Sequence, residues 1–350
     1  MENVCKEMIS YLNNHKFSIR ADELALKFTG SNVMTCAYGM VGESFSSGTC
    51  VMNEIRESMS MSTKIGVVTH TLGLFCPNLC KLLNISYLGK QVPVSFGNLI
   101  RSAVKSRERT KNVSNDFVDF LIECKRKGDL SFLGHAMTFF LDGYETSAYL
   151  LTYTLLELAR NPSVQVEAQS EIDVVCKAHN TIYSYGALKE LSYLEDIIYE
   201  TLRIHPVIKF LNRSCTKECL LPSPYQDSDG MFVQIKKGTQ IFIPVEAIHR
   251  DTKYYHDPKK FDPHRFKQEN RSRRPKQSFL GFGDGPRICP GQQFAVTQIK
   301  IALAAILLHF NISINAKTIF PLRKKFYHLS KFPKNEIWLD FSVRTTQTKQ

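Results

Sequence analysis

The chain has 350 residues, 43% of them hydrophobic and 22% charged, an ordinary globular composition with ample material for a large core. Its ten cysteines lack the regular spacing of a disulfide scaffold, which favours a reducing compartment. Lys and Arg number 45 against 33 Asp and Glu, a formal charge of +12. That surplus favours anionic partners such as an acidic lipid surface or an acidic redox protein, and no basic run with interleaved aromatics supports nucleic acid. No signal peptide and no apolar stretch long enough to span a bilayer is evident.

In chain order, residues 1–45 carry helical spacing, with Val4, Met8, Ile9 and Leu12 followed by Leu24, Leu26 and Phe28. Residues 46–110 are weakly patterned loop and helix broken at Pro77 and Pro93. Cys76 and Cys80 have metal-like spacing without a matching second pair. Arg107 to Lys111 reads as a solvated basic turn, after which Asn115 opens a capped amphipathic helix. Leu133 to Arg160 is the longest helical pattern, stopped by Asn161-Pro162. Inside it lies Asp142-Gly143-Tyr144-Glu145-Thr146. Glycine within a helix costs about 1 kcal/mol relative to alanine, and a threonine there can bond to the carbonyl four residues back. Together they predict a local groove beside an acid and a hydroxyl, a setting that suits proton delivery with bulk water kept out.

Val164 to Ala178 predicts a helix, and Leu191 to Pro206 another, with Glu200 and Arg203 on one face. Residues 207–250 turn strand-like, punctuated at Asp227–Gly230 and Lys236–Gly238, with Thr239 to Val245 alternating into a short strand. Ile314 to Val343 reads as hairpins, and Ile299 to Leu308 as a core helix interrupted by Lys300.

The sharpest chemical signal precedes that helix. Phe282-Gly-Asp-Gly285-Pro-Arg287-Ile-Cys289-Pro-Gly291 is a glycine- and proline-punctuated loop ending on a cysteine just before a helix. Gly285 and Gly291 permit conformations and close approaches that a Cβ would block. A thiol at a helix start faces unpaired N–H groups and the positive end of the helix dipole, which favours its thiolate. Arg287 adds a fixed cation suited to a carboxylate, so the arrangement suits a metal that takes one soft axial ligand.

These residues resemble the haem-binding signature of cytochrome P450 monooxygenases, F-x-x-G-x-x-x-C-x-G, at all four fixed positions: Phe282, Gly285, Cys289 and Gly291. Asp142 to Thr146 resembles the family's A/G-G-x-D/E-T segment, Asp142 departing from its small residue. Tyr193 to Pro206 resembles the family's E-T-L-R helix, and Phe261 to Phe266 its P-E-R-F element with His264 at the acidic position. Leu24 to Gly39 resembles its fourth and fifth helices.

The resemblance implies a mainly α fold with a small β subdomain. It would be a single domain over 1–350, β-rich at about 207–250 and 314–343, without the family's N-terminal anchor, N-terminal sheet strands and first helices. The W-x-x-x-R helix has no counterpart either, since the only tryptophan is Trp338. It implies that Cys289 ligates the iron of haem b, that Arg287 and Arg213 hold the propionates, and that Gly143, Glu145 and Thr146 form the proton-delivery segment. Glu200, Arg203 and Arg265 would lock the core. Oxygen would be inserted into a lipophilic small molecule, with electrons from NADPH through NADPH-cytochrome P450 reductase and cytochrome b5 as a further candidate partner. The expected location is the cytosolic face of the endoplasmic reticulum membrane. Two alternatives stand beside this: a haem-binding but catalytically incompetent truncated isoform or incomplete gene model, and, more remotely, a Cys/His zinc protein.

Overall fold

Helices that are hydrophobic nearly all round organise the structure, a computed structural model that describes residues 1–14, 18–40, 42, 45, 72, 77–83, 91–110, 113–129, 131–223, 231–323, 332–333 and 335–345. The chain divides into two compact units, Met1–Ile198 with Pro290–Gln350, and Tyr199–Cys289.

The first unit opens with α1 (Glu2–Asn14), a strand β1 (Ser18–Arg20) and α2 (Ala21–Tyr38). Then come α3 (Pro77–Leu82), α4 (Gln91–Thr110), α5 (Phe117–Arg126), α6 (Phe132–Arg160), α7 (Pro162–His179) and α8 (Tyr185–Glu190). Helix α9 (Ser192–Ile204) carries the chain into the second unit, whose strands are β2 (Leu211–Ser214), β3 (Cys219–Pro222), β4 (Phe232–Ile235) and β5 (Gln240–Ile243). Helix α10 (Gln292–His309) and strands β6 (Phe310–Ile314) and β7 (Trp338–Val343) complete the first unit.

Ser147 to Ala159 of α6 are all buried, as are Gln298 to Leu307 of α10. A helix apolar on every side belongs in a core, packed against other helices rather than against water. Lys300 in α10 is tolerated there because its Nζ reaches Glu195 Oε2 at 2.9 Å. Helix α6 stops at Asn161-Pro162, where the proline serves as the first residue of α7. Helix α2 runs unbroken where two helices had been expected by resemblance, and it ends on Gly39 at φ 62°, a left-handed conformation natural to glycine. Its last residue, Tyr38, is buried and donates to the Ala136 carbonyl at 2.7 Å.

Strands β1, β7 and β6 form an antiparallel sheet in that order, with Ile19 opposite Leu339 and Ile312 opposite Phe341. Strand β1 was missed by periodicity because three residues are too few to show alternation. Helix α7 grips the sheet through glutamines. The Gln165 amide donates to the Ile312 carbonyl at 2.9 Å and accepts from its N–H at 2.7 Å, imitating one more rung of the ladder.

Of the expected basic turn at Arg107 to Lys111, Lys111 lies outside the described residues, and Arg107 to Thr110 are helical instead. Arg107 lies on α4 and pairs with Asp116 at 2.7 Å and Asp119 at 3.1 Å. Asp116 also caps α5 by accepting from the Val118 and Asp119 N–H groups, so the capping residue follows Asn115 by one position. Carboxylates some ten residues away in sequence turned an expected solvent-facing cation into a partly buried clasp. Cys76 lies outside the described residues, and among those described no group of three or more His, Cys, Asp or Glu is placed to hold a metal. No helix among the described residues is long and apolar enough to cross a membrane.

Gln165→Ala leaves both backbone groups of buried Ile312 facing an apolar gap on the α7 side. The expected cost is about 2–4 kcal/mol of unfolding free energy, read from the urea midpoint of the purified protein; a loss under 0.5 kcal/mol would remove the glutamine from the account of the sheet.

Candidate functional site

The second unit is built outward from one side chain. Arg203 is fully buried, and each of its five N–H groups has an acceptor. Nε and one terminal nitrogen grip Glu200 as a bidentate fork, both at 2.7 Å. The remaining donors reach the carbonyls of His249 and Pro258 at 2.9 Å and of Lys260 at 3.2 Å. A guanidinium away from water is tolerable only when its charge is paired and its donors are filled.

Glu200 is saturated in turn. Besides the fork, it accepts from the Asp262 N–H at 2.9 Å, and Arg265 Nε stands 3.5 Å from its Oε1. The Arg265 contact is a charge contact without hydrogen-bond alignment, since that Nε donates to nothing in the structure. Burial pushes the Glu200 carboxyl up, and the Arg203 fork, the Asp262 N–H and Arg265 act against that push. Glu200, Arg203 and Arg265 are thus brought together as the sequence led one to expect. His264 does not supply the missing acid: it belongs to a turn of 3-10 helix, Pro263–Phe266, whose start is capped by the Asp262 side chain.

Aromatic rings carry the fork toward the cysteine loop. Phe279 stacks on His249 at 5.3 Å and edges Phe266 and Tyr199, while Tyr199 also edges Phe282. Arg274 lies over Tyr255 and Phe266, at 4.6 and 5.0 Å from the ring centres, a cation–π contact in a partly desolvated place. A Cβ on Gly281 would come within 2.6 Å of the Phe279 ring, so only glycine lets the chain cross that ring.

The loop itself is folded by its own backbone. The Gly283 N–H donates to the Leu280 carbonyl at 3.0 Å, Ile288 to Gly285 at 3.0 Å, and Cys289 to Phe282 at 2.8 Å. Gly283 and Gly285 take φ 77° and 72°, conformations in which a side chain is strained. The result presents a half-buried Cys289 thiol with exposed Arg287 two residues away. Arg213 sits on β2, paired with Ile241 of β5, and its guanidinium donates to the Asn212 carbonyl. Neither Arg213 nor Arg287 has a carboxylate partner among the described residues.

These residues fit a haem. A soft thiol ends a pre-folded loop, and two cations have no carboxylate partner among the described residues. A thiol on a pre-folded loop and guanidinium groups without an anionic partner among the described residues match a flat, dianionic iron macrocycle.

Within the first unit, Gly143, Glu145 and Thr146 lie on α6. Helix α6 runs through them as one element. Thr138, Asp142 and Thr146 form an exposed stripe along a helix whose later turns are wholly buried. The Thr146 hydroxyl donates to the Asp142 carbonyl, as anticipated. Asp142 is open by area, yet crowding by the surrounding protein raises its carboxyl pKa. Gly143 faces the packing side, where a Cβ would stand 3.3 Å from Val33 Cγ2. Gly291 caps the start of α10.

Sequence reasoning missed His249, Phe279, Gly281 and Arg274. A lone histidine in Ala247-Ile-His249-Arg-Asp251 has no local pattern to flag it, and only the fold shows what it touches.

A family model described as cytochrome P450 matches residues 1–338. Among curated relatives, Probable cytochrome P450 28d1 of Drosophila melanogaster is 31% identical over 97% of this chain and 68% of its own length. Probable cytochrome P450 6a13 of the same organism is 32% identical over 87% of this chain and 62% of its own. Cytochrome P450 6j1 of Blattella germanica is 31% identical over 88% and 62%. The chain therefore spans about two thirds of the length of these relatives.

Glu200→Gln removes the charge that Arg203 was buried to meet. The expected cost is about 3–5 kcal/mol, seen as a lowered denaturant midpoint with a sharp drop in soluble yield; an unchanged midpoint would mean the fork is dispensable.

Proposed function

Because the chain belongs to the cytochrome P450 family, we propose that it is a haem-thiolate monooxygenase acting on a lipophilic small molecule. The observation that carries the reading is Cys289, closing a loop whose backbone is folded before any ligand arrives. Haem b, when bound, would supply the redox chemistry that splits dioxygen, with a thiolate ligand tuning it.

The protein's own residues do the rest. Cys289 would hold the iron through its thiolate, and the Phe282–Cys289 backbone bond fixes the loop that carries the sulfur. Arg287 and Arg213 answer the propionates with fixed positive charge. Thr146, on the exposed stripe of α6, holds a proton on its hydroxyl, and Glu145 one position earlier passes protons to it from solvent. Asp142 places a carboxyl with a raised pKa on that stripe, one turn of helix from the Thr146 hydroxyl.

Electrons would come from NADPH through a flavoprotein reductase, with cytochrome b5 as a second donor; a formal charge of +12 suits acidic redox partners, which charge complementarity steers into contact. The proposed location is the cytosolic face of the endoplasmic reticulum membrane. Supporting it, Leu220, Met231 and Phe232 are 62%, 65% and 61% exposed at the β3–β4 ribbon, an apolar display that fits a lipid interface.

The test is the reduced, CO-bound spectrum of the haem-loaded protein, followed by addition of reductase and NADPH. A strongly red-shifted Soret band and coupled substrate oxidation are expected. Haem binding without turnover would identify a haem protein lacking monooxygenase activity, and zinc without porphyrin would end the reading.

Two variants sharpen it. Cys289→Ala should abolish the red-shifted band while leaving the far-UV spectrum intact. Thr146→Ala should raise peroxide released per NADPH consumed severalfold; unchanged coupling would take the hydroxyl out of the proton path.

A further inference from the structure

His249 is fully buried, and both of its ring nitrogens are engaged. The Leu280 N–H donates to Nε2 at 2.8 Å, so Nε2 carries no proton. Nδ1 then holds it and faces the Arg203 carbonyl at 3.2 Å. The backbone of the same residue accepts from the Arg203 guanidinium at 2.9 Å. Leu280 is the root of the cysteine loop, because its carbonyl accepts from Gly283 and the loop then closes through the Cys289–Phe282 bond. One imidazole therefore joins the saturated Glu200–Arg203 fork to the segment that carries the thiol, with Phe279 stacked on its face.

We propose that His249 is a positioning residue for Cys289: its uncharged ring fastens the N–H of Leu280 to the Glu200–Arg203 core, and the thiol keeps its orientation only while that ring stays neutral. The inference rests on the haem-thiolate reading for its consequence, but the fastening itself is a property of the polypeptide.

Protonation puts a second N–H on Nε2, where it confronts the Leu280 N–H, and the bond becomes a clash of donors. The surroundings oppose that proton. Burial lowers the pKa to about 4, the nearby Arg203 charge acts in the same direction, and the bond to the Arg203 carbonyl opposes both. Of the other ionisable neighbours, Arg203 and Arg274 are cations, and Tyr255 has a pKa raised by burial, so none of these loses or gains charge in mild acid. Among the described residues, Glu200 is the carboxyl paired with Arg203. For a histidine with a depressed folded pKa the unfolded chain binds more protons between the two values. Stability is therefore full above about 6.5 and falls as the pH drops toward about 4.

The experiment compares haem-loaded wild-type protein with His249→Asn, which offers a donor and an acceptor but does not titrate in this range. The reduced, CO-bound Soret band is recorded from pH 7.5 to 3.5, a window that spans the His249 pKa of about 4. Wild type is expected to lose the red-shifted band on acidification, and His249→Asn to keep it to a pH lower by about one unit or more. Superimposable profiles would overturn the proposal and pass the titration to Glu200. Should the variant not fold, hydrogen exchange on wild type decides instead. Between pH 7.5 and pH 4.5, after correction for the intrinsic pH dependence of exchange, peptides spanning 279–289 should lose at least about threefold more protection than peptides of strands β4 and β5; uniform change across the unit would overturn it. If wild type never shows the red-shifted band, the haem-thiolate reading fails, while the exchange comparison still judges the role of His249.

Discussion

A single guanidinium with every donor satisfied is what the second unit depends on. Arg203 is wholly buried and spends its five N–H groups on Glu200 and on the carbonyls of His249, Pro258 and Lys260. Glu200 comes from α9 and the three carbonyls from separate points of the chain between residues 249 and 260. Extended, looping backbone cannot satisfy its own carbonyls, so an interior cation does the work that a ladder does in a sheet. The desolvation cost of that charge is recovered only because Glu200 is equally saturated.

From that fork to the thiol, the route is short and made of rigid parts. His249 transfers the hold to Leu280, the rings of Phe279 and Phe282 pack on Tyr199, and two left-handed glycines bend the chain back so that Cys289 bonds to Phe282. Such a loop loses little further conformational freedom when its ligand arrives, which is how a pre-formed site gains affinity. The same design explains why glycine stands at 281, 283 and 285. The first permits a close crossing of the Phe279 ring, and the other two permit positive φ.

In the first unit a polar stripe and the core share one helix. The later turns of α6 are buried on every side, while Thr138, Asp142 and Thr146 remain open. Gly143 lies between these demands, letting Val33 approach closely so that the helix packs without turning its polar stripe inward.

Much of this was legible in the residues themselves. Long helices show a 3.6-residue apolar period over many turns, and prolines and glycines mark their ends, so α6, α7 and α9 could be placed to within a few residues, and α10 through its apolar second half. The cysteine loop could be read because its chemistry is contiguous: glycines, arginine and thiol lie within ten consecutive positions, where order along the chain is also proximity in space. The three-residue strand β1, the clasp of Arg107 on Asp116 and Asp119, and the bridging role of His249 could not. Each of these depends on groups that are distant in sequence or too few to form a pattern, and burial, pairing and tautomer are settled only when the chain has closed around them. Residue order determined which atoms are available for chemistry; tertiary packing decided which of them are dry, paired and held still, because desolvation and hydrogen-bond geometry act through space rather than along the chain.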